Sequence, residues 1–339
     1  MSEIRELDRM LPMTSELQDD TTAPRPAMEW IGASLRLWAP AKINLTLLVG
    51  SRRNDGFHPL DSLVAKITLY DRIDLRPRSD GEISFCCDSS DCGSNEKNLA
   101  FRAGLLLAQE VRSLGLSPQG ADIGLSKHIP PGKGLGGGSS DAAAVLSGLN
   151  ELWSLGLSQE RLAELGAGLG SDVPLFFGRR CSRITGRGEH VEPFRIQPFW
   201  GILCLCDLAA STPEVYQAFD ALAEQAATEA PLPDGLQQAG ILLPPPIGRV
   251  QLEEEFLTGR PSNWRSLLRN DLLPAALRVC PQLAGVKAKL AQAGVPVCLS
   301  GSGSAMFMLF DDVCQALQAL RRIEPSLASQ CIVIQSNEW

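Results

Sequence analysis

Between Ile129 and Asn150 the chain reads IPPGKGLGGGSSDAAAVLSGLN. Six glycines fall between Gly132 and Gly148, five of them before Ser139. Glycine in an ordered core loses much conformational freedom and packs nothing in return. A run this dense therefore belongs where the backbone must approach something closely. Ser139 and Ser140 follow, then an apolar run at helical spacing, which puts the serines at a helix start. A glycine loop entering a helix N-terminus turns free N–H groups toward an anion, most often phosphate. The fold must then supply a strand into the loop (residues 121–127) and a helix out of it (residues 141–153).

Two familiar phosphate loops fail on spacing. Gly132-Lys133-Gly134-Leu135-Gly136-Gly137 satisfies G-x-G-x-x-G, but the residues about 20 positions on are helical and offer no acidic residue at a strand end. Lys133 is followed by Gly134 rather than Ser or Thr, so the Walker pattern fails too. What remains, P-x-G-x-G-L-G-G-G-S-S-D-A-A-A, resembles the central motif of the GHMP kinases. Two further segments match that family's outer motifs in order: Ala39-Pro40-Ala41-Lys42-Ile43-Asn44-Leu45 and Leu299-Ser300-Gly301-Ser302-Gly303-Ser304-Ala305. Arg53-Asn54-Asp55-Gly56-Phe57-His58-Pro59-Leu60 and Leu169-Gly170-Ser171-Asp172-Val173-Pro174 resemble the branch whose alcohol acceptor is cytidine diphosphate methylerythritol, in non-mevalonate isoprenoid synthesis. The resemblance spans roughly residues 35 to 335.

Composition, 44% hydrophobic and 21% charged, is ordinary for a soluble globular chain. With 39 acidic and 31 basic residues the formal charge is −8, which disfavours a nucleic-acid partner. No apolar run reaches the length of a membrane span, so no membrane partner is expected. Ten cysteines lie scattered without a C-x-x-C pair, and most have apolar neighbours. They read as buried thiols of a reducing, cytoplasmic compartment rather than a zinc site. The acids at Glu3, Glu6, Asp8, Glu16, Asp19 and Asp20 argue against an organelle transit peptide.

Strand patterns come in runs: 34–49, 65–75 with a bend at Tyr70-Asp71-Arg72, 81–87, 121–127 and 181–186. Helical patterns cover 98–113, 141–153 and 159–169. The pattern restarts near residue 198. Strands follow at 201–206, 295–299, 306–310 and 331–335, and helices at 213–228, 264–279, 283–292 and 312–322. This is α+β rather than a doubly wound sheet. An extension (1–33) holds a short helix over 3–11 and disorder over 18–29, and a proline-rich loop covers 229–248. The resemblance implies two domains, 34–197 and 198–339. The first would resemble ribosomal protein S5 and the second would be ferredoxin-like, with the active site in the cleft between them.

Phosphoryl transfer to an alcohol needs a proton acceptor, charge neutralisation and usually Mg²⁺. By resemblance, Asp172 is the base and Lys42, an isolated lysine among apolar neighbours, its electrostatic partner. Asn44, two residues on along the strand, faces the same side. The resemblance places the ATP phosphates on Pro131, Gly132, Gly134, Leu135, Gly136, Gly137, Gly138, Ser139 and Ser140, with Asn98 and Lys127 touching the nucleotide. Mg²⁺ would sit near the serines; no glutamate matches the metal ligand of some relatives, so the metal ligands stay open. Phe57 and Tyr216 would stack on the cytosine ring, His58 would hydrogen-bond its edge, and Thr212 would belong to the same site. Gly301 and Gly303 would let the backbone approach the substrate diphosphate. Mevalonate, homoserine or a sugar is the alternative acceptor, and a catalytically silent GHMP-fold binding protein the alternative class. Lys42, Asp172 and the loop glycines, all present, speak against silence. The sequence leaves a homodimer open.

Overall fold

The structure, a computed structural model, describes residues 27–228 and 249–337. The expected helix over 3–11, most of the expected disorder over 18–29, and the proline-rich loop lie outside the described residues. Eight strands arise from the first part of the chain: β1 (Met28–Ile31), β2 (Ser34–Asn44), β3 (Thr46–Val49), β4 (Leu60–Arg78), β5 (Ile83–Cys87), β6 (Gly120–Ser126), β7 (Cys181–Gly186) and β8 (His190–Pro193). The rest supplies β9 (Trp200–Cys204), β10 (Arg269–Asn270), β11 (Cys298–Leu299), β12 (Met306–Phe310) and β13 (Cys331–Gln335).

The first sheet is built on β4. One edge of β4 pairs antiparallel with β2 and, at its start, with β3. On the other edge residues 60–65 pair with β7 and residues 72–78 with β6. Between them, residues 66–71 have neither strand beside them. Two buried charges organise this gap. Asp71, with no exposed surface, accepts the backbone N–H groups of His128 (2.6 Å) and Ile129 (2.8 Å) and the Lys127 ammonium. Lys66 donates to the carbonyls of Phe176 (3.1 Å) and Gly178 (2.7 Å). The C-terminal end enters the same gap: Gln335 N donates to Thr68 Oγ1 (2.8 Å), Asn337 N donates to the Lys66 carbonyl (2.9 Å), and Ser336 bridges Ile67. Unpaired backbone is costly when buried, and these side chains replace the missing ladder.

The second sheet runs β11-β12-β9-β13, antiparallel throughout. Helices α1 (Leu99–Ser113), α2 (Gly137–Leu152) and α3 (Gln159–Ala167) belong to the first part of the chain. Those of the second are α4 (Thr212–Thr228), α5 (Arg249–Thr258), α6 (Leu273–Val279), α7 (Gln282–Ala291), α8 (Val313–Leu320) and α9 (Pro325–Ala328). α1 and α2 bury Leu107, Val111, Leu146 and Leu149 against Leu35, Ile73, Leu75 and Ile123 of the first sheet. Val215, Ala276, Leu283 and Ala316 pack with Ile202, Met306 and Met308 of the second. A third cluster, including Ile43, Ile67, Phe199, Leu203, Trp264 and Phe307, is common to both sheets.

Several expectations change. The boundary near residue 198 crosses the shared cluster, with Ile196 and Phe199 both in it, and β10 returns to pair parallel with β3. The two halves therefore interlock. The helix expected over 264–279 is a 3₁₀ turn (Pro261–Ser266), β10 and α6. Asn270 and Asp271 break it by spending their side chains on backbone groups: Asn270 Nδ2 donates to the Leu299 and Gly301 carbonyls (2.8 Å each), and Asp271 Oδ2 accepts Val49 N (3.1 Å). Such competition is why these residues suit helix interiors poorly. Tyr70-Asp71-Arg72 lies inside β4; the irregularity is a bulge where Pro40 and Ala41 oppose Tyr70 and Ile67. Met28–Ile31, within the expected extension, is a strand on β2. β8, α5 and α9 had no signal strong enough to read. Of the cysteines, Cys181, Cys204, Cys206, Cys280 and Cys331 are buried, Cys86 and Cys314 are exposed, and Cys87 pairs with Cys92 as a disulfide, so the free-thiol reading does not hold for that pair.

Burial pushes Lys66 down to about 8 from the ordinary 10.5. The folded state thus holds this proton less tightly than the unfolded chain, and stability rises with pH across that window. Lys66→Met should flatten that rise and, by orphaning two buried carbonyls, cost about 1–3 kcal/mol at neutral pH. Denaturant unfolding of both proteins from pH 7 to about 10.5 measures both effects; an unchanged slope would remove the buried-cation account.

Candidate active site

A cleft of about 710 Å³ opens where loops of both sheets meet. It brings together Lys42, Asn44, Phe57, His58, Gly134, Gly136, Ser139, Asp172, Thr212, Tyr216 and Gly301. These residues come from β2, the β3–β4 connection, the glycine loop, the segment after α3, α4 and the β11–β12 turn. Pro131, Gly132, Leu135, Gly137, Gly138, Ser140, Asn98, Lys127 and Gly303 do not line it.

Lys42 is 6 % exposed at the inner wall, between the apolar neighbours that mark β2 as a core strand. Its Nζ donates to Asn44 Oδ1 at 2.7 Å and lies 3.9 Å from Asp172 Oδ2. Asn44 Nδ2 donates to Ser62 Oγ at 2.9 Å, and Ser62 Oγ donates in turn to the Thr46 carbonyl. This chain fixes which way the amide points and leaves its oxygen to the ammonium. Burial pushes Lys42 below the ordinary lysine value, and Asp172 pulls it back upward. Asp172 stands at the cleft surface, ahead of the 3₁₀ turn Pro174–Phe177; Lys66 holds the Phe176 carbonyl of that turn and the Gly178 carbonyl just after it. A buried cation beside a part-exposed carboxylate suits a site that must take up a proton and steady an oxyanion.

The glycine loop is held from both sides. Asp71 receives it where it leaves β6. The β11–β12 turn holds its middle: Ser300 Oγ donates to the Gly134 carbonyl (3.0 Å), and Ala305 N donates to the Lys133 carbonyl (3.2 Å). Lys133 Nζ donates to the Cys206 and Leu208 carbonyls, at 2.8 and 2.6 Å. Gly134 has φ +77°, and a Cβ there would sit 2.2 Å from the Ser300 carbonyl oxygen. Helix α2 begins at Gly137 with Gly136 as its N-cap, so Ser139 and Ser140 lie in the first turn rather than ahead of it. Three free N–H groups precede the serines. Ser139 faces the cleft beside Gly170, whereas the Ser140 hydroxyl is buried with no hydrogen-bond partner among the described residues.

Lys127 is part-buried, between Asp71 and Asp141 Oδ2 (3.0 Å). Burial opposes its charge, but Asp141 and Asp71 outweigh it and hold the ammonium above its ordinary value. Burial and the neighbouring Asp71 hold Asp141 well above the usual carboxylate range. Asn98 caps α1, accepting Ala100 N (2.9 Å) and donating to the Cys92 carbonyl (3.2 Å). Gly303 packs against Leu299, and Gly301 lies on Gly134. The polar groups of Asn98 and Lys127 are thus engaged within the protein.

At the other end of the cleft, His58 is 8 % exposed and Phe57 51 %. The Phe57 ring carries the Arg187 guanidinium at 4.1 Å. His58 Nδ1 donates to the Gly50 carbonyl (2.9 Å), and Nε2 faces Asp220 Oδ1 at 3.3 Å. Its ring lies 5.2 Å from that of Tyr216. Burial and the charge of Asp172 push the Tyr216 phenol up to about 12. Thr212 Oγ1 bonds Ser302 Oγ at 2.7 Å, tying α4 to the β11–β12 turn. Sequence reasoning missed Asp220, Arg187, Ser62 and Asn270. Asp220 was within reach: it follows Tyr216 by four residues and shares its helix face. The others meet the site only through tertiary pairing.

The family model "GHMP kinases N terminal domain" matches residues 98–179, and "GHMP kinases C terminal" matches residues 252–325. The 4-diphosphocytidyl-2-C-methyl-D-erythritol kinase of Shouchella clausii is 36% identical over 271 residues, covering 79% of this chain and 83% of that protein. Its namesake from Pelotomaculum thermopropionicum is 36% identical over 286 residues, covering 84% and 92%. A crystal structure of 4-(cytidine 5'-diphospho)-2C-methyl-D-erythritol kinase superposes with TM-score 0.68 at 30% identity, over 88% of this chain and 98% of that one. The L. major mevalonate kinase, solved with R-mevalonate, gives 0.65 at 14% identity over 94% and 99%, a likeness of fold.

Gly132 and Gly134 share a positive φ, of +70° and +77°, but a Cβ on Gly132 meets open space. Gly132→Ala should cost about 1–2 kcal/mol, the left-handed penalty alone. Gly134→Ala adds a backbone collision and should cost clearly more. Thermal unfolding of the two variants measures the difference; equal losses would contradict the contact with Ser300.

Proposed function

We propose a division of labour in this cleft on the premise that the chain belongs to the 4-diphosphocytidyl-2-C-methyl-D-erythritol kinase family of GHMP kinases. It transfers the γ-phosphoryl group of ATP to the 2-hydroxyl of 4-diphosphocytidyl-2-C-methyl-D-erythritol, giving the 2-phosphate and ADP. The observation that carries the reading is the convergence of Lys42, Asp172, the glycine loop and the Phe57–His58 wall on one cleft.

The transfer is direct and in line, without a phosphoenzyme. Asp172 accepts the proton of the attacking hydroxyl, and the Lys42 ammonium beside it steadies the developing alkoxide. The amides of the glycine loop and the first turn of α2 hold the ATP phosphates. The residues present fit Mg·ATP. Mg²⁺ keeps several waters and phosphate oxygens and asks little of the protein. The unpartnered Ser140 hydroxyl and the cleft-facing Ser139 are the oxygens that would hold it, together with the phosphates. When bound it neutralises phosphate charge.

Base recognition follows from the tautomer of His58. The Gly50 carbonyl can only accept, so Nδ1 carries a proton and Nε2 is the ring atom left for a second partner. It faces a carboxylate oxygen, Asp220 Oδ1, at 3.3 Å, too close for a group to lie between them. The exocyclic amine of cytosine, lying alongside, has N–H groups to donate to that carboxylate. Uracil would present an acceptor there instead. Phe57 and Tyr216 supply the aromatic faces, and Arg52 and Arg187 the charge near the substrate diphosphate.

Asp172→Asn should lower kcat by about 10²–10⁴ with ATP binding retained; unchanged turnover would remove it as the base. His58→Ala and Asp220→Asn should raise KM for the cytidine substrate far more than for ATP. ADP release with Mg·ATP, compared across the cytidine substrate, mevalonate and homoserine, tests the whole reading. Turnover with another acceptor would keep the kinase and discard the cytosine wall.

A further inference from the structure

Behind the Asp172 segment lies a second cavity of about 620 Å³ that shares no lining residue with the active-site cleft. Three arginines line it: Arg179, Arg180 and Arg195. None has a carboxylate or hydrogen-bond partner for its side chain among the described residues. Unlike Arg36, Arg78, Arg161, Arg183 and Arg269, each paired with an acid, these three converge on one cavity without a counter-charge. Guanidinium forks match phosphate oxygens two at a time. Apart from Gln159, the side chains of the rest of the wall are apolar or a thiol, with Phe177, Phe194, Ile196 and Leu257 among them. Phe194 and Ile196 are 7 and 8 % exposed.

We propose that this cavity is a binding site for a small organic phosphate with an apolar body, the phosphate held by Arg180 and Arg195 and the body by Phe177 and Phe194. The site abuts the catalytic segment. Phe177 belongs to the 3₁₀ turn that follows Asp172, and the neighbouring Phe176 and Gly178 carbonyls are those held by Lys66. Occupancy therefore acts on the clamp that sets Asp172, and turnover changes without competition for ATP or acceptor.

Hexyl phosphate, pyrophosphate and inorganic phosphate serve as probes, titrated by calorimetry into the full chain with the cleft saturated by ADP. Hexyl phosphate should bind one site, inorganic phosphate at least about tenfold more weakly, and Arg180→Gln/Arg195→Gln should lose at least about tenfold for hexyl phosphate. Arg195→Glu, on an exposed position, gives the same loss if the double variant folds poorly. Basal kcat of these variants should stay within about twofold, a change below ~0.5 kcal/mol. Loss of binding when ADP fills the cleft, or equal binding by the variants, overturns the site. Equal affinity for inorganic phosphate and hexyl phosphate, or tighter binding of pyrophosphate, overturns the apolar body.

Discussion

The structure depends on how one edge of β4 is broken and repaired. A long central strand would ordinarily carry a continuous neighbour on each side. Here β6 and β7 each take part of the edge and leave residues 66–71 between them. A buried anion, Asp71, receives the backbone leaving β6, and a buried cation, Lys66, receives the backbone arriving at β7. Each would be expensive alone in an apolar interior. Each is tolerated because it meets several groups of the opposite polarity. The glycine loop and the Asp172 segment are the two chains so held, so one gap positions both the loop and the residue that face the cleft.

The second sheet then locks what the first has opened. Its C-terminal end, residues 335–337, occupies the gap, and its β11–β12 turn lies on the glycine loop at van der Waals distance. Asn270 sits at the junction, in β10 against β3, while its side chain holds the carbonyls of Leu299 and Gly301. The three motifs far apart in sequence therefore touch one another directly. Where these motifs meet, the cleft wall is backbone held by backbone, which favours fixed geometry at that end.

The motifs were legible because chemistry constrains them locally. A glycine loop, an isolated lysine in an apolar strand and an aromatic–histidine pair each carry their meaning in a few residues, and all meet in the cleft. The α1, α2 and α4 helices were legible because their apolar spacing is strong. What was not legible depends on distant partners. Asp71 looks like a turn residue until residues 128 and 129 are placed against it. The 264–279 segment reads as a helix until Asn270 and Asp271 find backbone groups on β3 and the β11–β12 turn. Lys127 looked free to reach a nucleotide, yet two buried carboxylates hold it. In each case local propensity lost to a tertiary hydrogen bond that no window of sequence contains.

Lys42 gathers these constraints into the chemistry. Its charge is disfavoured by burial and restored by Asp172, so the two groups depend on each other. At 3.9 Å the pair is close enough to couple and too long for a tight hydrogen bond. The ammonium's short bond goes to Asn44 instead, at 2.7 Å. That leaves Asp172 without a short side-chain bond among the described residues, open to the cleft. The Asn44–Ser62 relay thus fixes the ammonium at the inner wall, beside the carboxylate rather than tightly bonded to it.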